Sequence, residues 1–335
     1  MAVIERLVRG QIGAEAAERL LATIVIDEAI VAGRDGQVTR AGFATALGVC
    51  LFDALLRVVP TGAAYVADRI AAGERVNFDH GAIRTIRFPD RPTGALPAGQ
   101  DAFRRILEPL GYTVAGLYPL PRLKMTGRAY RHCDYPEAIP QYFLSELHVD
   151  QFDEAFGAAA DRIFGASRDP LGAAALSMLN LFAAGQDAPF ALAEAALPEI
   201  LAAFDRQHAE PTVADYEALL AQSPEAAWIA TEGNAFNHAT DRVADVGALA
   251  DRERAMGRPI KERVEVSASG RVRQTAYRAD PVLRRFRTPA GEEARQVPGS
   301  FYEFITREVD PATGALDLAF DSGNATGIFA MTKAA

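Results

Sequence analysis

Apolar residues recur with a helical period over the first 74 positions of the chain. The runs GAEAAERLLATIVIDEAIVAG and RAGFATALGVCLFDALLRVV place them about 3.6 residues apart, as amphipathic helices do. The tripeptide Pro60-Thr61-Gly62 interrupts this pattern before AAYVADRIAAG. Residues 151–225 are helical again and rich in alanine. We therefore predict helical segments at 1–74 and at 151–225.

Residues 75–150, between the helical segments, show the alternation of strands. A strand at about 77–88 is followed by a loop rich in proline and glycine and by the helix GQDAFRRILEPLG. Three extended runs come next, YTVAGLYPL, KMTGRAYRHC and QYFLSELHVD. This order predicts a first β-α-β-β-β unit.

The same order of elements recurs in residues 226–335, which end in a C-terminal tail. WIATEGNAFNHAT is predicted as a strand, and DRVADVGALADRERAMG as a helix with Thr240 or Asp241 as its N-cap. KERVEVSASGRVRQTAYRAD is predicted as a hairpin turning at Ser269-Gly270, and SFYEFITREV as the last strand. Two such units predict an α+β fold in one compact catalytic domain. They would close into a cupped, partly closed, barrel-like sheet, with added helical segments and a site on its concave face.

Three polar residues stand out in strands that are otherwise apolar. Alternate residues of a strand share a face, so His80 and Arg84 lie on one side of the strand at about 77–88. Glu303 lies in the last strand, where an unpaired buried carboxylate would be costly. His80, His238 and Glu303 could form a two-histidine, one-carboxylate iron centre with open positions. Alternatively, each histidine is a hydrogen-bonded core residue and Glu303 pairs with an arginine.

Composition narrows the class of protein. The chain has 335 residues, of which 49% are hydrophobic and 24% charged, and its net charge of −9 argues against nucleic-acid binding. The longest apolar runs contain Asp53, Glu194 and Glu199, so we expect buried helices and no membrane span. The N-terminus lacks the pattern of a secretory signal, and Cys50 and Cys133 lie far apart. We expect reduced thiols, a cytoplasmic protein and no cysteine-based zinc site.

Three stretches of sequence carry a resemblance to a known family. DHGAIRTI (79–86), ATEGNAFNHATDRV (230–243) and FYEFITRE (301–308) resemble the 2-oxoadipate dioxygenase/decarboxylases, also called hydroxyglutarate synthases. That family has a fold of the vicinal-oxygen-chelate type, and the resemblance spans roughly residues 75–310. FYEFITR is also similar to the final metal-binding strand of 4-hydroxyphenylpyruvate dioxygenases.

The resemblance implies a ligand set and a reaction. His80, His238 and Glu303 would bind Fe(II), and Arg84 would hold the substrate, which also lies against His80. The implied reaction uses O₂ to convert 2-oxoadipate, or a close 2-oxo diacid, to 2-hydroxyglutarate and CO₂ in lysine catabolism. Spacing supports the role of Arg84, because its Cα lies roughly 13 Å from that of His80 along a strand. A short dicarboxylate would fill the gap between metal and guanidinium, its far carboxylate held bidentately.

Two other functions stay open at this point. Glu146 and His148 in FLSELHVD fall roughly where a fourth ligand would lie, although a shift of one residue reverses the face of a strand. A four-ligand octahedral site would suit a metal-dependent glyoxalase-like isomerase or lyase that needs no O₂. The third possibility is a non-catalytic protein of the same fold that binds a small ligand.

Several further residues have less specific surroundings. Asn234, Asn237 and Thr240 flank His238 and could orient it or serve turns and caps. His208 in DRQHAEPT is expected at a solvated helix end. The C-terminal FDSGNATGIFAMT (320–332) is similar to the short form of the family that is also found in plants. Contacts that longer bacterial members draw from later segments could be missing or replaced here, so the exact 2-oxo acid stays open. The oligomeric state also stays open.

Overall fold

The computed structural model of the chain describes residues 2–31 and 36–321. Residues 322–332 of the C-terminal stretch singled out above lie outside the described residues. The α-helices are α1 (Ala2–Ile12), α2 (Ala14–Thr23), α3 (Arg40–Val58), α4 (Pro60–Ala71), α5 (Asp101–Leu107), α6 (Glu154–Phe164), α7 (Ala173–Ala183), α8 (Phe190–Ala202), α9 (Val213–Leu220), α10 (Pro224–Glu232) and α11 (Val246–Ala255).

The strands alternate with these helices along the chain. They are β1 (Gln37–Val38), β2 (Phe78–Arg87), β3 (Tyr112–Leu120), β4 (Met125–His132), β5 (Gln141–His148), β6 (Ala188–Pro189), β7 (His238–Arg242), β8 (Glu265–Val266), β9 (Val272–Ala276), β10 (Pro281–Thr288), β11 (Gly291–Pro298) and β12 (Phe301–Arg307). Short 3₁₀ turns lie at Glu28–Val31, Pro121–Leu123 and Val149–Gln151.

One eight-stranded sheet organises the molecule, with the strand order β3-β4-β5-β2-β7-β12-β9-β8. Strands β2 and β7 are antiparallel at its centre, β5 is parallel to β2, and β12 is parallel to β7. The first half (β2 to β5 with α5) and the second half (β7 to β9 and β12 with α11) therefore match about a local twofold axis. The sheet curls into a half-barrel, which confirms the predicted α+β fold of two β-α-β-β-β units. The division of the chain into four segments stays a prediction.

The start of the second half differs from the prediction, because most of WIATEGNAFNHAT is not a strand. Helix α10 runs through Glu232, with Pro224 in its first turn and the Ser223 side chain accepting a hydrogen bond from Ala226 N. Gly233 then ends the helix at φ 67°, and β7 begins five residues later. The strong N-cap outweighs the strand-like apolar pattern.

The predicted N-cap of the next helix is also wrong. Thr240 and Asp241 both lie inside β7, where they pair with strands on either side. The N-cap is Asp245, whose carboxylate accepts hydrogen bonds from the backbone of Gly247 and Ala248. The hairpin at Ser269-Gly270 is confirmed by the pairing of β8 with β9. The β10–β11 hairpin, which was not predicted, packs on α9 through the rings of Tyr216 and Phe286.

Helix α3 supports the sheet from the face opposite the site. Of the helices that the structure describes, it is the one long and apolar enough to cross a membrane, with a mean hydropathy of 1.6, but 78% of that window is buried. Its Phe52 ring contacts the rings of Phe78 and Tyr302 in the central strands. A buried helix is what the sequence predicted for this run.

Candidate metal centre and substrate pocket

Strands β2 and β7 bring two histidines together at the centre of the sheet. Gly81 lies opposite Ala239, and each of these residues directly follows a histidine. The imidazole rings of His80 and His238 are 5.5 Å apart between centroids and nearly perpendicular. Both side chains are buried. Two residues that are distant in sequence therefore meet because their strands are neighbours.

Strand β12 adds a carboxylate to this pair. It runs parallel to β7 with Glu303 opposite Thr240. Glu303 Oε2 lies 3.2 Å from His80 Nε2 and 3.5 Å from His238 Nε2. Within the part of the chain that the structure describes, one candidate ligand atom from each of these residues lies within 4.8 Å of the others. The three residues singled out in the sequence therefore converge on one point.

Burial and mutual contacts shift the pKa values of these residues in different directions. Burial lowers the pKa of His238 to about 3, so its ring is neutral at physiological pH. Burial alone would raise the pKa of Glu303, but attraction to His238 and His80 in their protonated forms and hydrogen bonds from His80 and Thr240 outweigh burial and lower the pKa to about 2. Burial alone would lower the pKa of His80, but hydrogen bonds to Asp79 and Glu303 outweigh burial and raise the pKa. A metal ion would therefore compete with a proton mainly at His80.

Two buried atoms of the cluster point to a ligand that the protein does not supply. Among the described residues, His238 Nε2 and Glu303 Oε1 have no hydrogen-bond partner. Buried polar atoms are nearly always satisfied, and an ion held between the three side chains would satisfy both. Two imidazoles and one carboxylate form the donor set of non-haem Fe(II) centres with open positions. The residues present therefore fit a divalent metal ion.

The residue that precedes each histidine holds its ring. His80 Nδ1 donates a hydrogen bond to Asp79 Oδ1 at 2.9 Å, and Asn237 Oδ1 lies 3.3 Å from His238 Nδ1. The register of β2 against β7 shifts between Phe78 and His80, so Asp79 is an extra residue of the strand. This bulge explains why strand alternation gave no sign of Asp79. The contact of Asn237 agrees with its predicted orienting role.

Thr240 lies inside the cluster. Its hydroxyl donates to Glu303 Oε2 at 2.7 Å and lies 3.1 Å from His80 Nε2. The side chain is completely buried. Thr240 therefore orients the carboxylate and contacts the first histidine, although the sequence associated it only with His238.

Phenylalanine occupies the position at which a fourth ligand would lie. In β12, Glu303 lies two residues after the residue that pairs with His238. In the matching β5, the residue two positions after the partner of His80 is Phe143. Its ring is buried and lines the same pocket. The first half therefore leaves one side of the candidate metal centre without a protein ligand at this position.

Glu146 and His148, the candidates for a fourth ligand, lie outside the cluster. Glu146 is buried against Arg87 Nε at 2.8 Å and Arg128 Nη1 at 3.1 Å. His148 Nε2 lies 2.8 Å from the hydroxyl of Thr126. Glu146 lies three positions after Phe143, and alternate residues of a strand share a face, so the two side chains lie on opposite faces of β5.

Arg84 lies four residues beyond His80 and lines the same pocket. The side chain is 1% exposed, and its guanidinium carbon lies 5.0 Å from the centre of the Trp228 ring. Burial lowers the pKa of Arg84 to about 10, opposed by the charge of Glu225, so it stays cationic at neutral pH. Asn234 donates a hydrogen bond to the Arg84 carbonyl at 2.7 Å, so it supports this strand and not His238.

One pocket joins the histidines to Arg84. Phe320 forms part of its wall, with its ring centre 4.8 Å from that of His80 and 4.9 Å from that of Phe143. The lining combines these aromatic rings with a few polar groups, as is typical of sites for small ligands. The other residues that line the pocket are Ala82, Ile83, Ser145, Asn237, Gln274 and Asp321.

Solved structures share this arrangement of strands. A protein from Ralstonia eutropha JMP134 named for the glyoxalase superfamily is 48% identical, over 96% of this chain and 99% of that one, with a TM-score of 0.91. The Oryza sativa hydroxyglutarate synthase in complex with 2-oxoadipate is 19% identical over 93% and 95%, with a TM-score of 0.67. The Pseudomonas putida hydroxyglutarate synthase in complex with 2-oxoadipate is 22% identical over 89% and 74%, with a TM-score of 0.60. At these two identities the likeness shows the fold alone.

The sequence itself matches one family model. That model describes 2-oxoadipate dioxygenase/decarboxylase and matches residues 51–315, which include all three residues of the cluster and Arg84. No curated protein sequence matches the chain. The family match covers well over half of the chain. This protein therefore belongs to the 2-oxoadipate dioxygenase/decarboxylase family.

Proposed function

We propose that this protein is an Fe(II)-dependent dioxygenase that decarboxylates and hydroxylates a 2-oxo dicarboxylate, 2-oxoadipate or a close homologue. One observation carries the proposal: two imidazoles meet one buried carboxylate, and both imidazoles line a pocket whose wall also contains the buried Arg84. The overall reaction consumes one O₂ and yields 2-hydroxyglutarate and CO₂. The proposal assigns this reaction to lysine catabolism in the cytoplasm.

His80, His238 and Glu303 would hold the metal. Bound Fe(II) would supply the positions at which the 2-oxo acid and O₂ react, which are the open positions of this donor set. The choice of iron rests on the donor set and on the family description. Phe143, in place of a fourth protein ligand, keeps one side of the centre free for substrate or O₂.

Arg84 would bind the far carboxylate of the substrate. A guanidinium binds a carboxylate bidentately, and the low polarity of a buried site strengthens such a pair. Crystals of two structural neighbours were obtained with 2-oxoadipate, which supports a 2-oxo diacid as the substrate class. With one end at the metal and the other at Arg84, the substrate is fixed at both ends, and this positioning is the main contribution of the protein.

The rest of the pocket would exclude water and orient the ligands. Phe143 and Phe320 cover the metal end with apolar surface. Asp79 and Asn237 hold the imidazole rings, and Thr240 holds the carboxylate. None of these groups has to donate or accept a proton from the substrate, so the residues serve geometry and not acid–base catalysis.

The test is anaerobic loading with Fe(II), followed by addition of O₂ and 2-oxoadipate. We expect equal amounts of O₂ consumed, CO₂ released and 2-hydroxyglutarate formed, the last identified by mass spectrometry. The His238→Ala variant should lose this turnover and retain its fold by circular dichroism. Metal binding without O₂ uptake would contradict the dioxygenase and favour an isomerase or lyase. Failure to bind any divalent metal would favour a binding protein.

A further inference from the structure

Arg307, the last residue of β12, joins two parts of the molecule that are distant in sequence. Its side chain is fully buried. Nε and Nη2 donate to the Asp79 carboxylate at 2.9–3.1 Å. Nη1 donates to the main-chain carbonyls of Asp317 at 2.9 Å and Ala319 at 2.8 Å. One guanidinium therefore holds a carboxylate on one side and a segment of backbone on the other.

The carboxylate side leads to the candidate metal centre. Asp79 Oδ1, which Arg307 contacts, also accepts the hydrogen bond from His80 Nδ1 at 2.9 Å. With Nδ1 as the donor, His80 directs Nε2 toward Glu303. A carboxylate behind a ligating histidine fixes its tautomer and orientation, and losing such a partner typically weakens metal binding 10- to 100-fold.

The backbone side leads to a segment that covers the pocket. We name residues 308–321 the strap. The strap folds back on itself, because Asp317 N donates to the carbonyl of Glu308, and Arg271 Nε holds the Asp317 carboxylate at 2.9 Å. Its far end places Phe320 against His80 and Phe143 in the pocket wall. The position of the strap therefore decides how the metal end of the pocket is enclosed.

We propose that Arg307 couples binding of the metal ion at His80 to closure of the strap. The inference rests on the proposed function, since it needs a metal at His80. Metal binding fixes the His80 ring and with it Asp79, and the same guanidinium that holds Asp79 holds the carbonyls of Asp317 and Ala319. The coupling is reciprocal, so a closed strap increases metal affinity as much as the metal stabilises the closed strap.

Three variants test the link through Arg307 separately from the two contacts that it joins. Asp79→Asn removes the carboxylate and leaves the hydrogen bonds of Arg307 to the strap. Arg307→Lys keeps a charge beside Asp79 but lacks the planar fork of donors that reaches both partners at once. Arg271→Gln is the matched control, because it loosens the strap at Asp317 without touching Asp79.

The experiment measures metal affinity by anaerobic titration and hydrogen–deuterium exchange of strap peptides, each with and without the metal. In the wild type, we expect Fe(II) or Co(II) to slow exchange of the strap several-fold. Asp79→Asn should bind metal about 10- to 100-fold more weakly, and Arg307→Lys about 10-fold more weakly. Both should lose the metal-dependent slowing. Arg271→Gln should show faster exchange overall, nearly unchanged metal affinity and a preserved response to the metal.

The outcomes distinguish this coupling from the proposed function. If the wild type binds metal and strap exchange does not change, the coupling is wrong and the metal centre stands. If Arg307→Lys responds to metal as the wild type does, Arg307 is not the link. If the wild type binds no metal, the proposed function fails and the coupling fails with it.

Discussion

The two halves of the sheet have the same strands in the same register but contribute different chemistry. Gly81 and Ala239 face each other across the central strand pair, and a histidine precedes each of them. The halves diverge one strand further out, where Phe143 in the first half matches Glu303 in the second. A symmetric scaffold therefore yields three candidate ligands and not four. Under the proposed function, this asymmetry would leave a position open for substrate and O₂ that a four-ligand site would lack.

The hydrogen-bond partners of the two histidines also differ between the halves. His80 has a carboxylate behind it, Asp79, and that carboxylate is paired with Arg307. His238 has the amide of Asn237. The pKa of His80 is accordingly raised, whereas burial lowers that of His238 to about 3. The first half thus supplies the more basic imidazole, at which a proton would compete more strongly with a metal ion.

The largest effect should follow from removing the carboxylate that breaks the symmetry. Glu303→Gln keeps the shape of the side chain but removes its charge, so we expect metal affinity to fall by more than about 100-fold and turnover to disappear. Isothermal titration with Fe(II) or Co(II) under anaerobic conditions measures the first effect. Glu146→Gln is the control, because Glu146 is equally buried but lies outside the pocket. The Glu146→Gln variant should lose stability and keep the metal affinity of the wild type.

Restoring the symmetry should also suppress turnover, but metal affinity should not fall. Phe143→Glu places a carboxylate where Glu303 lies in the other half, so we expect metal binding at least as tight as in the wild type. O₂ uptake should fall about 100-fold or more, because a fourth ligand occupies an open position. Phe143→Leu controls for loss of the ring and should retain measurable turnover. Full activity in Phe143→Glu would show that position 143 does not face the metal.

The sequence singled out the three residues of the cluster, because each is a polar residue in a run that was predicted as a strand, and the family resemblance joined them into one set. Phe143 was not predictable in this way. Its role depends on how β5 pairs with β2, and the register between strands far apart in sequence is set by the whole sheet. Glu146, considered from sequence as a possible fourth ligand, lies on the other face of β5 for that reason. Asp79 was missed because a bulge turns it toward His80.

His208 shows the same limit for a residue outside the sheet. It was expected at a solvated helix end, but it is 9% exposed, and Nε2 contacts the Ala230 carbonyl at 3.0 Å. Its ring packs edge-on against Phe164, and burial lowers its pKa to about 4. The polar sequence around it suggested exposure, whereas Ala230, in the part of α10 that was predicted as a strand, contacts its ring. The burial of such a residue depends on which elements pack over it, and the local sequence does not contain that information.

Arg84 and Arg242 occupy matching positions in the two halves. Each lies three residues after the residue at the centre of its strand pair, Gly81 or Ala239. Arg84→Gln should raise the KM for 2-oxoadipate about 100-fold, which corresponds to losing about 2.7 kcal/mol of a charged hydrogen-bonded pair. Metal affinity should stay unchanged. The preference for 2-oxoadipate over 2-oxohexanoate, which lacks the far carboxylate, should also disappear.

Arg242→Gln is the matched control. Arg242 donates to the Glu137 carbonyl, its Nη1 forms a long 3.9 Å ion pair with Asp79 Oδ2, and it does not line the pocket. Its loss should change KM less than about twofold, because a partly exposed pair contributes little. An equal change in both variants would show that Arg84 does not bind the substrate.

The smallest effect should come from the seam between the halves, where Gly81 and Ala239 differ by one methyl group. A Cβ at position 81 would lie 2.3 Å from Cζ of Phe236. That ring cannot move freely, because it packs against the rings of Phe78 and Tyr142. Gly81→Ala should therefore cost about 1–3 kcal/mol of stability in urea unfolding, since overpacking forces rings and backbone to shift.

A second substitution decides whether this clash is the cause. Phe236→Leu shortens the side chain, so in the Gly81→Ala background it should recover part of the lost stability. In a double-mutant cycle, the combined cost of Gly81→Ala and Phe236→Leu should be smaller than the sum of the single costs. Additive costs would mean that Gly81 is required for backbone conformation and not for the close approach of Phe236. The geometry favours the clash, because Gly81 lies within a regular stretch of β2 and is not among the glycines with positive φ.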